Sequence, residues 1–133
     1  MRSLFITILT GGIMLFLSSC VTAPKPLGLG ELRLLSLNAP ERMEIKRNIP
    51  FEVKINFEAD SEPEIRNVCF YWAGDGPHCS KVTDLNYGSP GTIKVKITVT
   101  RPGSYVLESY VVYTRDGKGQ PTNVVSTNVR VLE

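Results

Sequence analysis

A chain of 133 residues holds one domain once a targeting segment is set aside, and leaves too little for a second core. Fifteen basic residues against thirteen acidic ones give a formal charge of +2, and losing Arg2 with a leader would bring the balance close to neutral. That disfavours nucleic acid as a partner, because no clustered cationic surface follows from such a balance.

In chain order, the opening "MRSLFITILTGGIMLFLSSC" joins a cationic start at Arg2 to an apolar stretch from Leu4 to Leu17, then the small residues Ser18 and Ser19. This is the anatomy of a signal peptide over residues 1–19. The apolar stretch is shorter than the roughly 20 residues a spanning helix needs, and no stop-transfer cluster follows it. Leu17, Ser18, Ser19 and Cys20 resemble the lipobox of bacterial lipoproteins. The resemblance implies cleavage before Cys20, a diacylglyceryl thioether on its sulfur, and acylation of the new amino terminus. One acyl chain holds a bilayer only marginally, at about 0.8 kcal/mol per buried methylene, whereas two or three anchor stably. Val21 stands where an aspartate would be the inner-membrane retention signal in enteric-type bacteria, so the resemblance implies a cell-envelope address at the outer membrane, facing the periplasm.

After Cys20, "VTAPKPLGLG" carries two prolines and two glycines, which favour extended, unpacked chain, and residues 20–30 read as a flexible tether. Stretched at about 3.3 Å per residue it would reach some 30 Å. From Glu31 the pattern changes to alternation. In "FEVKINFE", Phe51, Val53, Ile55 and Phe57 share one face, with charged and polar residues between them; "TIKVKITVT" repeats this with Ile93, Val95, Ile97 and Val99. Further strands are expected at Leu32 to Leu37, Met43 to Lys46, Ile65 to Trp72, Cys79 to Thr83, Ser104 to Thr114 and Thr122 to Leu132, separated by turn-rich segments. Asp75-Gly76 and Asp116-Gly117 are the expected left-handed hairpin positions.

Seven to eight short strands over residues 31–133 predict an all-β domain, an antiparallel two-sheet sandwich, since one open sheet would leave an apolar face uncovered. Two details resemble immunoglobulin-like domains, including fibronectin type III modules. Trp72 follows Val68 and Phe70 at a spacing of two, like the core tryptophan of the third strand, and Tyr105 stands two places before Leu107, like the tyrosine corner before the second core cysteine. The cysteine itself is missing; the resemblance implies that Val53 or Ile55 and Leu107 fill the space of the inter-sheet disulfide.

With Cys20 lipidated, Cys69 and Cys79 remain as an even pair in an oxidising compartment, and the turn between them allows a disulfide across neighbouring strands. If Val68, Phe70 and Trp72 face the core, Cys69 and Tyr71 face outward and the bridge lies on the outer surface. A redox or metal pair is the competing reading, but the spacing is no Cys-x-x-Cys and His78 is the only histidine.

No enzyme is expected, and no cofactor. Cys79 beside His78, with Asp75 nearby, makes a weak dyad if the cysteine is oxidised. The glycine-rich turns lead into no helix, so they are no phosphate cradles. Asp60, Glu62 and Glu64 lack the loop glycine and further ligands of a calcium site and read as a solvated acidic loop. One surface stands out. With Tyr105, Leu107, Ser109 and Val111 inward, Val106, Tyr110 and Val112 face outward, with Val124 and Tyr71 on the same side. Such a tyrosine-bearing apolar face suits a protein contact. The sequence thus points to a membrane-anchored, non-catalytic lipoprotein module that binds an envelope protein or assists envelope assembly. The alternative is a carbohydrate- or peptidoglycan-binding module using Trp72 or tyrosines near loops.

Overall fold

The computed structural model describes residues 25–40 and 45–133; the signal segment, Cys20, Val21, Met43 and Glu44 lie outside them. Ten strands form an immunoglobulin-like sandwich of two sheets: β1 (Leu32–Asn38), β2 (Ile45–Lys46), β3 (Phe51–Ala59), β4 (Ile65–Trp72), β5 (Asp75–Ser80), β6 (Asp84–Asn86), β7 (Gly91–Ile97), β8 (Gly103–Arg115), β9 (Lys118–Pro121) and β10 (Val125–Leu132). One sheet runs β1-β3-β7-β6. The other runs β2-β10-β8-β4-β5, with β9 also paired to β8. All pairings are antiparallel except β2 with β10, which is parallel.

The alternation seen in the sequence decides the packing. Val53, Ile55, Phe57, Ile93, Val95 and Ile97 line the inner face of one sheet, and Val68, Phe70, Leu107, Val111, Tyr113, Val129 and Val131 line the other, all buried. Burial of each large side chain contributes roughly 1.5–3 kcal/mol. Glu52 lies opposite Lys96 on the wet face, a favourable cross-strand pair, whereas Lys54 lies opposite Lys94 and Asp84 flanks Lys94 on its other side. Gly91 is a packing requirement: a Cβ there would come within 2.3 Å of the Phe57 ring, which meets Tyr87 edge to face.

Tyr105 does form a tyrosine corner, its hydroxyl donating to the carbonyls of Arg101 at 2.9 Å and Pro102 at 3.1 Å. This ties the β7–β8 loop to the start of β8. Asp116 and Gly117, at φ 54° and 76°, make the β8–β9 turn as expected.

Four expectations are corrected. The strand expected from Thr122 to Leu132 begins only at Val125, because β9 ends at Pro121 and Thr122 accepts the Val111 N–H on its hydroxyl. Second, the strand expected from Cys79 to Thr83 is instead Asp75–Ser80, and a short β6 follows. Its hairpin turns at Ala73-Gly74 (φ 53° and 73°), not at Asp75-Gly76. The disulfide dictates this register. A turn at Asp75-Gly76 would set Cys69 against Val82, and a regular turn at Ala73-Gly74 would set it against His78; the observed partner is Cys79. One extra residue therefore enters β5, at Gly76-Pro77 opposite Tyr71, as a bulge. Gly76 is at φ 131°, and a Cβ there would stand 2.8 Å from the Phe70 carbonyl oxygen.

Third, Trp72 keeps the inward phase but is only half-buried, because it ends β4 beyond the covering sheet and caps the core instead of entering it. Fourth, the tether is held from Lys25 onward. Arg33 donates to the carbonyls of Lys25 and Pro26, Arg115 donates to that of Leu29, and the Gly28 and Gly30 N–H groups donate to the carboxylates of Glu31 and Asp60. Composition favours loose chain here, but these longer-range bonds fix it at the end of the sandwich where β1 begins and β8 ends.

Candidate functional site

The outer face of the β10-β8-β4-β5 sheet is built in rungs. Cys79, Cys69 and Tyr110 lie side by side across β5, β4 and β8; Tyr71, Glu108 and Ser126 form the next rung, and Val106 sits opposite Asn128. Val112 lies opposite Asn67 and Pro121. Period-two alternation places these residues together, since their inward neighbours are buried. Val106 is 54% exposed and Val124, beside the core-packed Val125, is 57% exposed. Tyr71 and Tyr110 are half-buried and pack at 6.0 Å between ring centroids. Desolvation, then hydrogen bonding and charge interaction with Tyr71, raise the Tyr110 phenol above its ordinary value. The face thus gathers Tyr71, Val106, Tyr110, Val112 and Val124. Lys25–Gly30 do not cover it, being bound at the end of the sandwich.

Cys69 and Cys79 are joined, with Cα atoms 4.0 Å apart, slightly closer than the expected 4.4–6.8 Å range. They are direct cross-strand neighbours, which brings Cα atoms nearer than most bridges do. The bridge lies on the outer face, but asymmetrically: Cys69 is 2% exposed, between two strands, whereas Cys79 is exposed on the edge strand. Ser109, buried on the opposite side of its strand, donates its hydroxyl to the Cys69 carbonyl at 3.0 Å.

A second arrangement lies at the end of the sandwich farthest from Lys25. His78 stacks on Trp72 with centroids 4.2 Å apart and planes 10° off parallel, and its Nε2 is 3.3 Å from an Asp75 oxygen. Trp72, Ala73, Asp75, Thr100, Arg101 and Tyr105 line a cleft of about 300 Å3. The sequence reading set Trp72 in the core and gave His78 no contact with it; the bulge in β5 is what brings them together. Cys79 is bonded to Cys69, so His78 has no free thiol beside it. Asp60 accepts from the Gly30 N–H, and Glu62 and Glu64 are exposed beside it; no group of three or more acidic, histidine or cysteine side chains among the described residues is placed to hold a metal ion. Among the described residues no helix is long and apolar enough to cross a membrane. No protein-family model matches the chain, and no curated protein matches it.

Proposed function

We propose that the protein is a lipid-anchored, non-catalytic module of the cell envelope, attached through Cys20 and facing the periplasm from the outer membrane. It binds an envelope protein through the outer face of β4, β8 and β10. The observation that carries this reading is the exposure of Val106 on the sheet face that bears the packed Tyr71–Tyr110 pair, with Val124 exposed just before β10. Apolar and tyrosine side chains standing together on a rigid sheet, left uncovered by Lys25–Gly30, suit a desolvated contact. The lipobox at Leu17–Cys20 and the disulfide support the address.

The test is in-cell crosslinking followed by affinity isolation of the lipidated protein. The wild type should retain one specific envelope protein, and Val106→Asp combined with Tyr110→Ser should lose it while the thermal midpoint is kept. Equal capture by both proteins would remove the face from the reading.

A further inference from the structure

We propose that the cleft between the β4–β5 turn and the β7–β8 loop binds a carboxylate-bearing pyranose of an envelope glycan. The site is separate from the outer sheet face, so either can fail without the other.

The chemistry of the lining selects the ligand. Arg101 is exposed, and among the described residues no carboxylate comes within ion-pair distance of its guanidinium. Its backbone is fixed by the Tyr105 hydroxyl, so the loop is pre-set while the side chain is free to take a carboxylate in a two-pronged pair. Trp72 is oriented by the His78 stack and supplies apolar surface for the C–H groups of a sugar ring. Asp75, on the same wall, accepts from hydroxyl groups, and Thr100 both donates and accepts. An aromatic ring, a free cation and hydrogen-bonding groups around about 300 Å3 match a polyhydroxylated ring with one negative charge. A purely apolar ligand would leave Arg101 desolvated without a partner.

An acidic peptide is the competing occupant of such a cleft. It would extend along the neighbouring free edge, β5, by adding a strand. That edge is interrupted by the bulge at Gly76 and by Pro77, which has no N–H to donate, so it makes a poor template. The position also favours a glycan: the cleft lies at the opposite end from the held tether, so a protein anchored at Cys20 presents it away from its own bilayer.

Trp72 is the only tryptophan, so its fluorescence reports on the site directly. The full processed protein in detergent micelles is titrated with a muramic-acid disaccharide, a galacturonate oligosaccharide, a neutral N-acetylglucosamine oligosaccharide and an acidic peptide. The expected result is a saturable change with one of the two acidic sugars, at least about tenfold tighter than with the neutral one. Preference for the muramic acid identifies peptidoglycan as the source, and preference for the galacturonate an acidic polysaccharide. Arg101→Gln should weaken that binding by about tenfold or more with the thermal midpoint unchanged, and calorimetry on Trp72→Phe should show weakened binding by a folded protein. No saturable change with either acidic sugar at millimolar concentration, tighter binding of the peptide, or an Arg101→Gln variant that binds as well as wild type would each overturn the proposal.

Discussion

Asn123 holds both backbone polar groups of Leu34: its Oδ1 accepts from the Leu34 N–H and its Nδ2 donates to the Leu34 carbonyl, each at 2.9 Å. The side-chain amide thus occupies the place of a neighbouring strand on the outer edge of β1. Asn123→Ala should leave both groups without this partner and lower stability by about 1–3 kcal/mol, measured by urea unfolding. Asn123→Asp keeps an acceptor but loses the donor, and should fall between. A neutral Asn123→Ala would show that water replaces the amide without cost.

The bridge should contribute through the unfolded chain, by closing a ring with a sequence separation of 10. Loop entropy assigns it roughly 2–3 kcal/mol. Because Cys69 is buried, Cys69→Ala with Cys79→Ala is a cleaner test than serine, whose hydroxyl would be buried at position 69. The pair should unfold at lower denaturant yet keep a cooperative transition, since the core rests on Val53, Ile55, Phe70 and Val95. Loss of cooperativity would mean the β4–β5 hairpin organises the sheet.

Trp72 caps the core at its end, so Trp72→Ala should cost less than the 3–5 kcal/mol of a buried aromatic, about 1–3 kcal/mol. A double-mutant cycle with His78→Ala should return a coupling of about 0.5–1.5 kcal/mol for the stack. Zero coupling would show that the two rings are neighbours without mutual stabilisation.

Gly91→Ala should destabilise by at least about 1–3 kcal/mol, because the new methyl collides with the Phe57 ring in a filled interior. Phe57→Leu in the same chain should recover part of the loss. Additive losses in the double variant would place the strain in the backbone at Gly91 instead.

Acid should loosen the tether. The Gly28 N–H holds the Glu31 carboxyl below its ordinary 4.5, with Arg33 and Arg115 adding to the effect against a partial opposing desolvation. A depressed folded value contributes stability above the ordinary value, and the contribution is lost as pH falls below 4.5 and through the lowered one. Amide exchange at Gly28 should therefore rise on acidification through that range beyond its intrinsic change. Glu31→Gln should remove the extra pH dependence; its survival in the variant would show that the Glu31 carboxylate is not its source.

What could be read in the sequence was local and periodic. The alternation at Phe51–Phe57 and Ile93–Val99 announced the inner face of one sheet, and Tyr105 announced its corner, because each signal lies within a few residues of its consequence. The outward phase of Tyr71 and Tyr110 followed from the same periodicity. Asp75-Gly76 misled because it is a stronger turn signal than Ala73-Gly74, and only the pairing of Cys69 with Cys79 reveals the added residue. Trp72 had the right phase, but periodicity does not tell where a strand outruns its cover. The grip of Asn123 on Leu34 and of Arg115 on Leu29 joins residues far apart in the chain, with no local pattern to announce it.

If Cys20 carries the lipid, the hold on Lys25–Gly30 makes the protein a spacer of set height, since five Cα steps from Cys20 to Lys25 allow at most about 18 Å between the anchor and the base of the sandwich. Above that, β8 alone rises about 40 Å over its 13 residues, and this length is rigid. The elevation of the far end above the bilayer is therefore set mostly by strand length, with little contributed by slack chain. Residues inserted between Cys20 and Lys25 would raise the whole body step by step, whereas residues inserted between Lys25 and Glu31 would first have to break the bonds to Arg33, Arg115, Glu31 and Asp60.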